Sequence, residues 1–166
     1  MKLRSAETDD YPAMAAILDR AWRAAYAELI DPEITATTSV EEWQSKLTQP
    51  GPAGTNSLVA TDADGQILGF TRFGPDPDEA PQNGYIASVY VDPQAAGGGI
   101  GRALVEGAVA ALATAGFQSV TLWVFRDNPR ARRLYERCGF LAEEAELIDP
   151  RWGVPQVRYR RMLSES

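Results

Sequence analysis

Apolar residues recur along this chain with two different periods, and the places where the period changes delimit its elements. Met14, Ile17, Leu18, Ala21, Trp22 and Ala25 repeat at helical spacing, which predicts an amphipathic helix over residues 8–27 with Thr8 as its N-cap. Ser39-Val40-Glu41-Glu42 has the spacing of a capping box and opens a shorter helix carrying Trp43 and Leu47, broken by Gln49-Pro50-Gly51-Pro52-Ala53-Gly54. Strand patterns cover residues 2–6, 57–63, 67–74, 84–91, 119–125, 140–148 and 154–163. Asp64-Gly65 signals a hairpin between the second and third. The tract Pro75-Asp76-Pro77-Asp78-Glu79-Ala80-Pro81 predicts a surface loop, because Pro lacks an N–H and acidic residues avoid sheets. Helical spacing returns over residues 99–115, with Gly116 as the stop, and again after Asn128, a good N-cap followed by Pro129 and closed by Gly139. The order β-α-α-β-β-β-α-β-α-β-β predicts an α/β (α+β) fold, a mixed sheet of about seven strands with four helices over it, in one domain of residues 1–166.

The junction after the strand at residues 84–91 carries the strongest chemical signal. Val89-Tyr90-Val91-Asp92-Pro93 runs into Gly97-Gly98-Gly99-Ile100-Gly101 and then into the helical pattern Arg102-Ala103-Leu104-Val105. Glycines strip side chains from backbone N–H groups just where a helix leaves its first N–H groups unpaired and its dipole is positive. The expected occupant is an anion such as a pyrophosphate. Two familiar nucleotide loops fail here. A P-loop needs Lys and then Ser or Thr after its last glycine, whereas Gly101 is followed by Arg102-Ala103. The fingerprint G-x-G-x-x-G meets Arg102 at its last position counted from Gly97, and Leu104 counted from Gly99.

These residues resemble the GNAT superfamily of acyl-CoA-dependent N-acyltransferases, whose signature is a strand ending in V-x-P, then Q/R-x-x-G-x-G/A and a helix. The resemblance implies that coenzyme A lays its pantetheine arm along the strand through the backbones of Val89 and Val91, flanking Tyr90. It also implies that Gly97, Gly98, Gly99, Ile100, Gly101 and Arg102 hold the pyrophosphate. Ala96 departs from the pattern, standing where a Q/R side chain is usual. A second stretch, Asn128-Pro129-Arg130-Ala131-Arg132-Arg133-Leu134-Tyr135-Glu136-Arg137-Cys138-Gly139-Phe140, is similar to the family's N-x-x-A-x-x-x-Y-x-x-x-G-F. By that match Asn128 belongs to the cofactor site and Tyr135 donates to the leaving sulfur. Helical spacing with Ala131, Leu134 and Cys138 also allows Tyr135 to be a core aromatic.

Charge and composition narrow the partners. The formal charge of −7 argues against nucleic acid, whose binding relies on basic residues, and suits a cationic acceptor. Arg126, Arg130, Arg132, Arg133 and Arg137 either face the 3′-phosphate of coenzyme A or form a solvated helix face paired with Glu136. No apolar run reaches the roughly 20 residues that span a bilayer, and the first residues lack a signal peptide's apolar core. A soluble, cytoplasmic protein without membrane contact is expected. The chain has no histidine, and its one cysteine, Cys138, is expected to pack as a small apolar group. That removes His-based nucleophile schemes and leaves no convincing transition-metal site, so no metal is expected.

Acyl transfer from a thioester to an amine needs a neutral nitrogen. An alkylamine with a pKa near 10 is only about 0.1% neutral at pH 7, a gap of roughly 4 kcal/mol, so a group or a water chain must take the proton. Family branches place a Glu five positions before the motif asparagine or near the start of the fourth strand. Those slots hold Trp123 and Tyr85, and no base is assigned. Glu28 and Asp31 are candidates for holding the amine, or are solvated loop charges; Ser88 could end a water chain, and Tyr85 lines the same strand. Trp22 and Tyr26, four apart on one helix face, are either core or an aromatic wall, with Trp152 closing from the final turn.

The resulting expectation is an acetyl-CoA-dependent N-acetyltransferase acting on a small-molecule amine or a peptide amino group, by direct attack in a ternary complex. The alternative is a coenzyme-binding sensor or interaction module that kept the cradle and lost turnover. Family members often pair through sheet edges or helices, so a homodimer is compatible with the resemblance.

Overall fold

Local turn chemistry starts the sheet. Asp62 Oδ1 accepts from the N–H groups of Asp64 and Gln66, each at 2.9 Å, and Gly65 takes a φ of +83°, closing a hairpin between β2 (Asn56–Thr61) and β3 (Ile67–Pro75). The structure, a computed structural model, describes residues 1–26, 29–35, 39–49 and 54–163. With β1 (Lys2–Ser5), β4 (Asn83–Val91), β5 (Ser119–Phe125), β6 (Leu141–Ile148) and β7 (Pro155–Met162), these strands form a seven-stranded sheet in the order β1-β2-β3-β4-β5-β7-β6. Neighbours are antiparallel except β4 and β5, which are parallel because α4 (Ile100–Thr114) crosses between them.

Apolar stripes then seat the helices. Leu104, Val105, Ala108, Val109 and Leu112 point from α4 into the sheet, joined by α5 (Pro129–Arg137), over Ile86, Val120, Leu122 and Val124. On the opposite face α1 (Tyr11–Tyr26) and α3 (Val40–Thr48) bury Met14, Ile17, Leu18, Trp43 and Leu47 against Val59, Phe70 and Phe125. Each fully buried side chain of this size contributes roughly 1.5–3 kcal/mol of transfer energy. Among the described residues, no helix is long and apolar enough to cross a membrane.

Three local expectations need correction. The entry to α1 is not capped by Thr8: a 3-10 turn at Thr8–Asp10 comes first, in which the Asp10 carboxylate accepts from Glu7 N–H at 2.7 Å. Arg4 fixes that carboxylate with two bonds, at 2.7 and 2.9 Å, and holds it below its ordinary pKa. A one-turn helix, α2 (Pro32–Thr35), lies where no element is expected. Finally, β3 extends to Pro75, paired with Gly84, and the acidic tract folds back to bury Asp76. Ser39, by contrast, caps α3 as its spacing predicts, accepting from Glu42 N–H at 3.2 Å.

Candidate active site

β4 and β5 pair at Asn83↔Ser119, Gly84↔Val120 and Tyr85↔Thr121 and then part, although β4 continues to Val91 and β5 to Phe125. A bulge lies at the point of parting. β3 pairs Phe73 with Ile86 and Arg72 with Ser88, which leaves Ala87 as an extra residue that bends β4. Beyond it, Asp92 N–H donates to the Leu68 carbonyl at 2.8 Å. By the two-residue alternation of an antiparallel ladder, Tyr90 and Ser88 also bond to β3, so Val89 and Val91 turn their N–H and C=O groups into the gap. An extended ligand with amide groups can add there as a strand would.

The glycine loop closes one end of this gap. Among the described residues, the N–H groups of residues 97–102 donate to no backbone acceptor, whereas Ala103 N–H already donates to the Gly99 carbonyl at 3.0 Å. Gly97 and Gly99 have φ values of +93° and +76°, and a Cβ built on either meets nothing within 4 Å. Backbone conformation, not crowding, demands glycine at both, and the loop surface is open to a ligand. Gly98 and Arg102 are exposed, and Gly101 packs on Leu134, where a Cβ would come within 3.2 Å. Ile100 is buried with Ala60 and Leu104, so only its backbone is available. Ala96 is exposed beside the loop.

Two residues from the expected cofactor set are placed differently. Tyr90 bonds through its backbone to β3 and sets its ring against Phe70, 5.7 Å between centroids, on the α1 face. Asn128 accepts from Ala131 N–H at 3.2 Å, capping α5, and its side chain lies near the Tyr26 phenol. Asn128 is thus occupied within the fold. Burial pushes the Tyr26 phenol up to about 12, with the nearby Asn128 side chain opposing it.

α5 turns Tyr135 into the interior against Phe140 and Tyr159, at centroid distances of 6.1 and 6.5 Å. The residue is only 8% exposed, yet among the described residues its hydroxyl has no hydrogen-bond partner. Tyr159 shows the contrast: its hydroxyl donates to Glu136 at 2.9 Å and accepts from Arg132 Nε at 2.8 Å. Burial pushes the Tyr135 phenol far up, and the nearby Tyr26 phenol, Cys138 and Tyr85 add to the effect. Tyr135 therefore keeps its proton at neutral pH and holds a donor in reserve.

On the α1 face, Trp22 is a core residue, 4% exposed, with Tyr26 and Trp152 each 4.6 Å away and Trp43 at 5.5 Å. Trp152 does reach this group from the turn between β6 and β7, and Tyr26 stacks edge-on to Phe125 at 4.8 Å. Glu28 lies outside the described residues. Asp31 accepts from Glu33 N–H at 2.9 Å at the start of α2. Tyr85 and Ser88 are half-buried on β4; burial and then Asp76 raise the Tyr85 phenol. Of the five arginines near α5, Arg132 binds Tyr159 and the Arg126 carbonyl, Arg126 pairs with Glu146, and Arg130, Arg133 and Arg137 are exposed.

A charge network beside the gap has no local signal in the sequence. Arg158 reaches Asp76 at 2.5 Å and Glu79 at 2.8 Å, and Arg160 reaches Glu79 at 2.6 Å and Glu143 at 3.3 Å. Thr121 Oγ1 also donates to Asp76, and Trp123 lies under Arg158, 5.5 Å from centroid to guanidinium carbon. Arg158 and Asp76 are 82 residues apart.

Comparison with known proteins gives the family. The acetyltransferase (GNAT) family model matches residues 11–140. An uncharacterised N-acetyltransferase of Bacillus subtilis, YuaI, is 30% identical over 130 residues, covering 76% of this chain and 73% of that protein. A mycothiol acetyltransferase of Salinispora tropica is 37% identical over 130 residues, which are 74% of this chain but 41% of the relative. The chain spans less than half the length of that enzyme. A crystal structure of a PaiA N-acetyltransferase from Thermoplasma acidophilum in complex with coenzyme A superposes with a TM-score of 0.79 at 18% identity, covering 98% of each chain. This chain belongs to the acetyltransferase (GNAT) family and is an enzyme of the acyltransferase class.

Proposed function

We propose that this protein transfers the acetyl group of acetyl-CoA to a primary amine of a small molecule or peptide, by direct attack in a ternary complex. The observation that carries this reading is the gap between β4 and β5, lined by Val89 and Val91 and closed by the amides of residues 97–102, which among the described residues meet no backbone acceptor. The pantetheine amides bond to Val89 and Val91, and the pyrophosphate accepts from the loop amides. The amine nitrogen bonds to the thioester carbon, the C–S bond breaks, and the sulfur takes up a proton that balances the one lost by the amine. A thiol titrates near 8.5, well below a phenol raised by burial, so Tyr135 hydrogen-bonds the departing thiolate without surrendering its proton.

The amine must lose its proton to solvent. Asp76, Glu79 and Glu143 all stand within ion-pair distance of Arg158 or Arg160, and the Arg160 hydrogen bond holds the Glu79 carboxyl below its ordinary range, which makes Glu79 a poor proton acceptor. For an alkylamine acceptor, kcat/KM should rise about tenfold per pH unit from pH 6 to 9, following the neutral fraction. A plateau near pH 7 in a pH-rate profile would instead reveal an internal base.

Gly99→Ala probes the cradle. The left-handed φ of +76° costs a side chain roughly 1–2 kcal/mol, so KM for acetyl-CoA should rise on the order of tenfold. The function itself is tested by following thiol release from acetyl-CoA against a panel of amines, amino acids and peptides. Coenzyme A binding without thiol release on any acceptor would support the sensor reading, and no binding at all would refute both.

A further inference from the structure

Arg72 stands in β3 opposite Ser57 of β2 and Ser88 of β4, so the register sets three polar side chains in one row across the sheet. The row lies on the face of Phe70, two residues earlier in β3 and packed under α1. Ser88 is also the residue before Val89, where β4 has just bulged and the gap begins.

Arg72 is half-buried, yet among the described residues its guanidinium makes no ion pair or hydrogen bond. Every other buried or half-buried arginine is engaged: Arg132 with Tyr159, Arg158 with Asp76 and Glu79, Arg160 with Glu79, and Arg161 with Glu106 and the Cys138 carbonyl. The hydroxyls of Ser57 and Ser88 are likewise unbonded, although both residues are half-buried. In a chain with 23 acidic and 16 basic residues, an unpaired guanidinium half out of water is not for want of carboxylates. Its donors are costly to leave unmet and match a planar oxyanion in two-bond geometry.

We propose that Arg72, with Ser88 beside it, binds a carboxylate carried by the acceptor, so that the substrate is an amino-acid-like amine and not a simple alkylamine. This rests on the transferase reading above. The anion anchor sits on the acceptor side of β4, while the amine is presented to the gap. Arg72 is a specificity residue with no part in bond making.

The test compares thiol release from acetyl-CoA on four matched acceptor sets: free L-amino acids, their carboxamides, the decarboxylated amines, and dipeptides whose carboxylate lies farther from the amine. The wild type should favour free amino acids over carboxamides by roughly 10- to 100-fold in kcat/KM, the worth of a charge-assisted bond. In Arg72→Gln the preference should vanish through KM, with coenzyme A affinity retained, and Arg72→Lys should recover part of it. The melting temperature of Arg72→Gln should stay level or rise, since no internal partner is lost. Equal use of acids and amides by the wild type, or a fall in melting temperature that marks a structural role, would overturn the proposal. A preference for the dipeptides would move the carboxylate to a peptide terminus and refute the amino-acid assignment. If coenzyme A binds but no set releases thiol, the transferase reading fails and carries this inference with it.

Discussion

Tyr135→Phe should lower kcat by roughly 100-fold or more while leaving coenzyme A affinity within about twofold, the range expected when a positioned proton-bearing group is removed. The substitution deletes one oxygen from a ring packed against Phe140 and Tyr159, and among the described residues that oxygen has no bond to lose. Stability should therefore hold, because the ring keeps its packing. The loss should shrink with acetyl thioesters of more acidic thiols, whose sulfur needs less help to leave. Undiminished kcat in Tyr135→Phe would reduce this residue to the core aromatic that its helical spacing also allows. Steady-state rates and calorimetric binding of coenzyme A, measured on the same preparations, separate the two.

Arg158→Met should destabilise the fold by about 3–5 kcal/mol, the usual cost of stranding one member of a buried ion pair. The side chains of Asp76 and Arg158 are 1% and 10% exposed, so water cannot replace the lost partner. The double variant Asp76→Asn with Arg158→Met should recover much of the loss, since the most deeply buried charge, the Asp76 carboxylate, is then removed with its partner. Urea unfolding midpoints at constant slope would read both. The same network predicts acid sensitivity. The hydrogen bond from Arg160, helped by Arg158, holds the Glu79 carboxyl below its ordinary 4.5. A depressed folded pKa contributes stability that is complete above the unfolded value and lost as pH falls through the folded one. Stability should therefore drop below about pH 4.5, and Glu79→Gln should flatten that drop. Because the network flanks Tyr85 and Trp123, its loss should also disturb the acceptor side of the gap.

Much of this architecture could be read along the chain, because its signals are local. Asp64-Gly65, Gly116 and Gly139 act within a few residues of themselves, and the last two take φ values of +96° and +85°. The seven strands, the glycine loop and the capped α5 follow from such rules. Thr8 does not cap the first helix because the bond that starts that segment involves Asp10, whose carboxylate Arg4 fixes across a strand boundary. Asp76 is buried against expectation because a tract of prolines and acids obeys surface rules until two arginines, 82 and 81 residues away from their partners, are brought beneath it.

The candidate site divides in the same way. Bare amides at a strand-to-helix junction are a property of neighbouring residues, and they were legible, as was a phenol at helical spacing behind an N-cap. Folding alone decided that β4 bulges at Ala87 and parts from β5, that Tyr90 is occupied inside the fold, and that the Tyr135 hydroxyl meets no partner among the described residues. Each of these depends on a partner far away in the chain. Backbone preference is encoded residue by residue, whereas pairing, burial and the absence of a partner exist only once distant segments have been packed together.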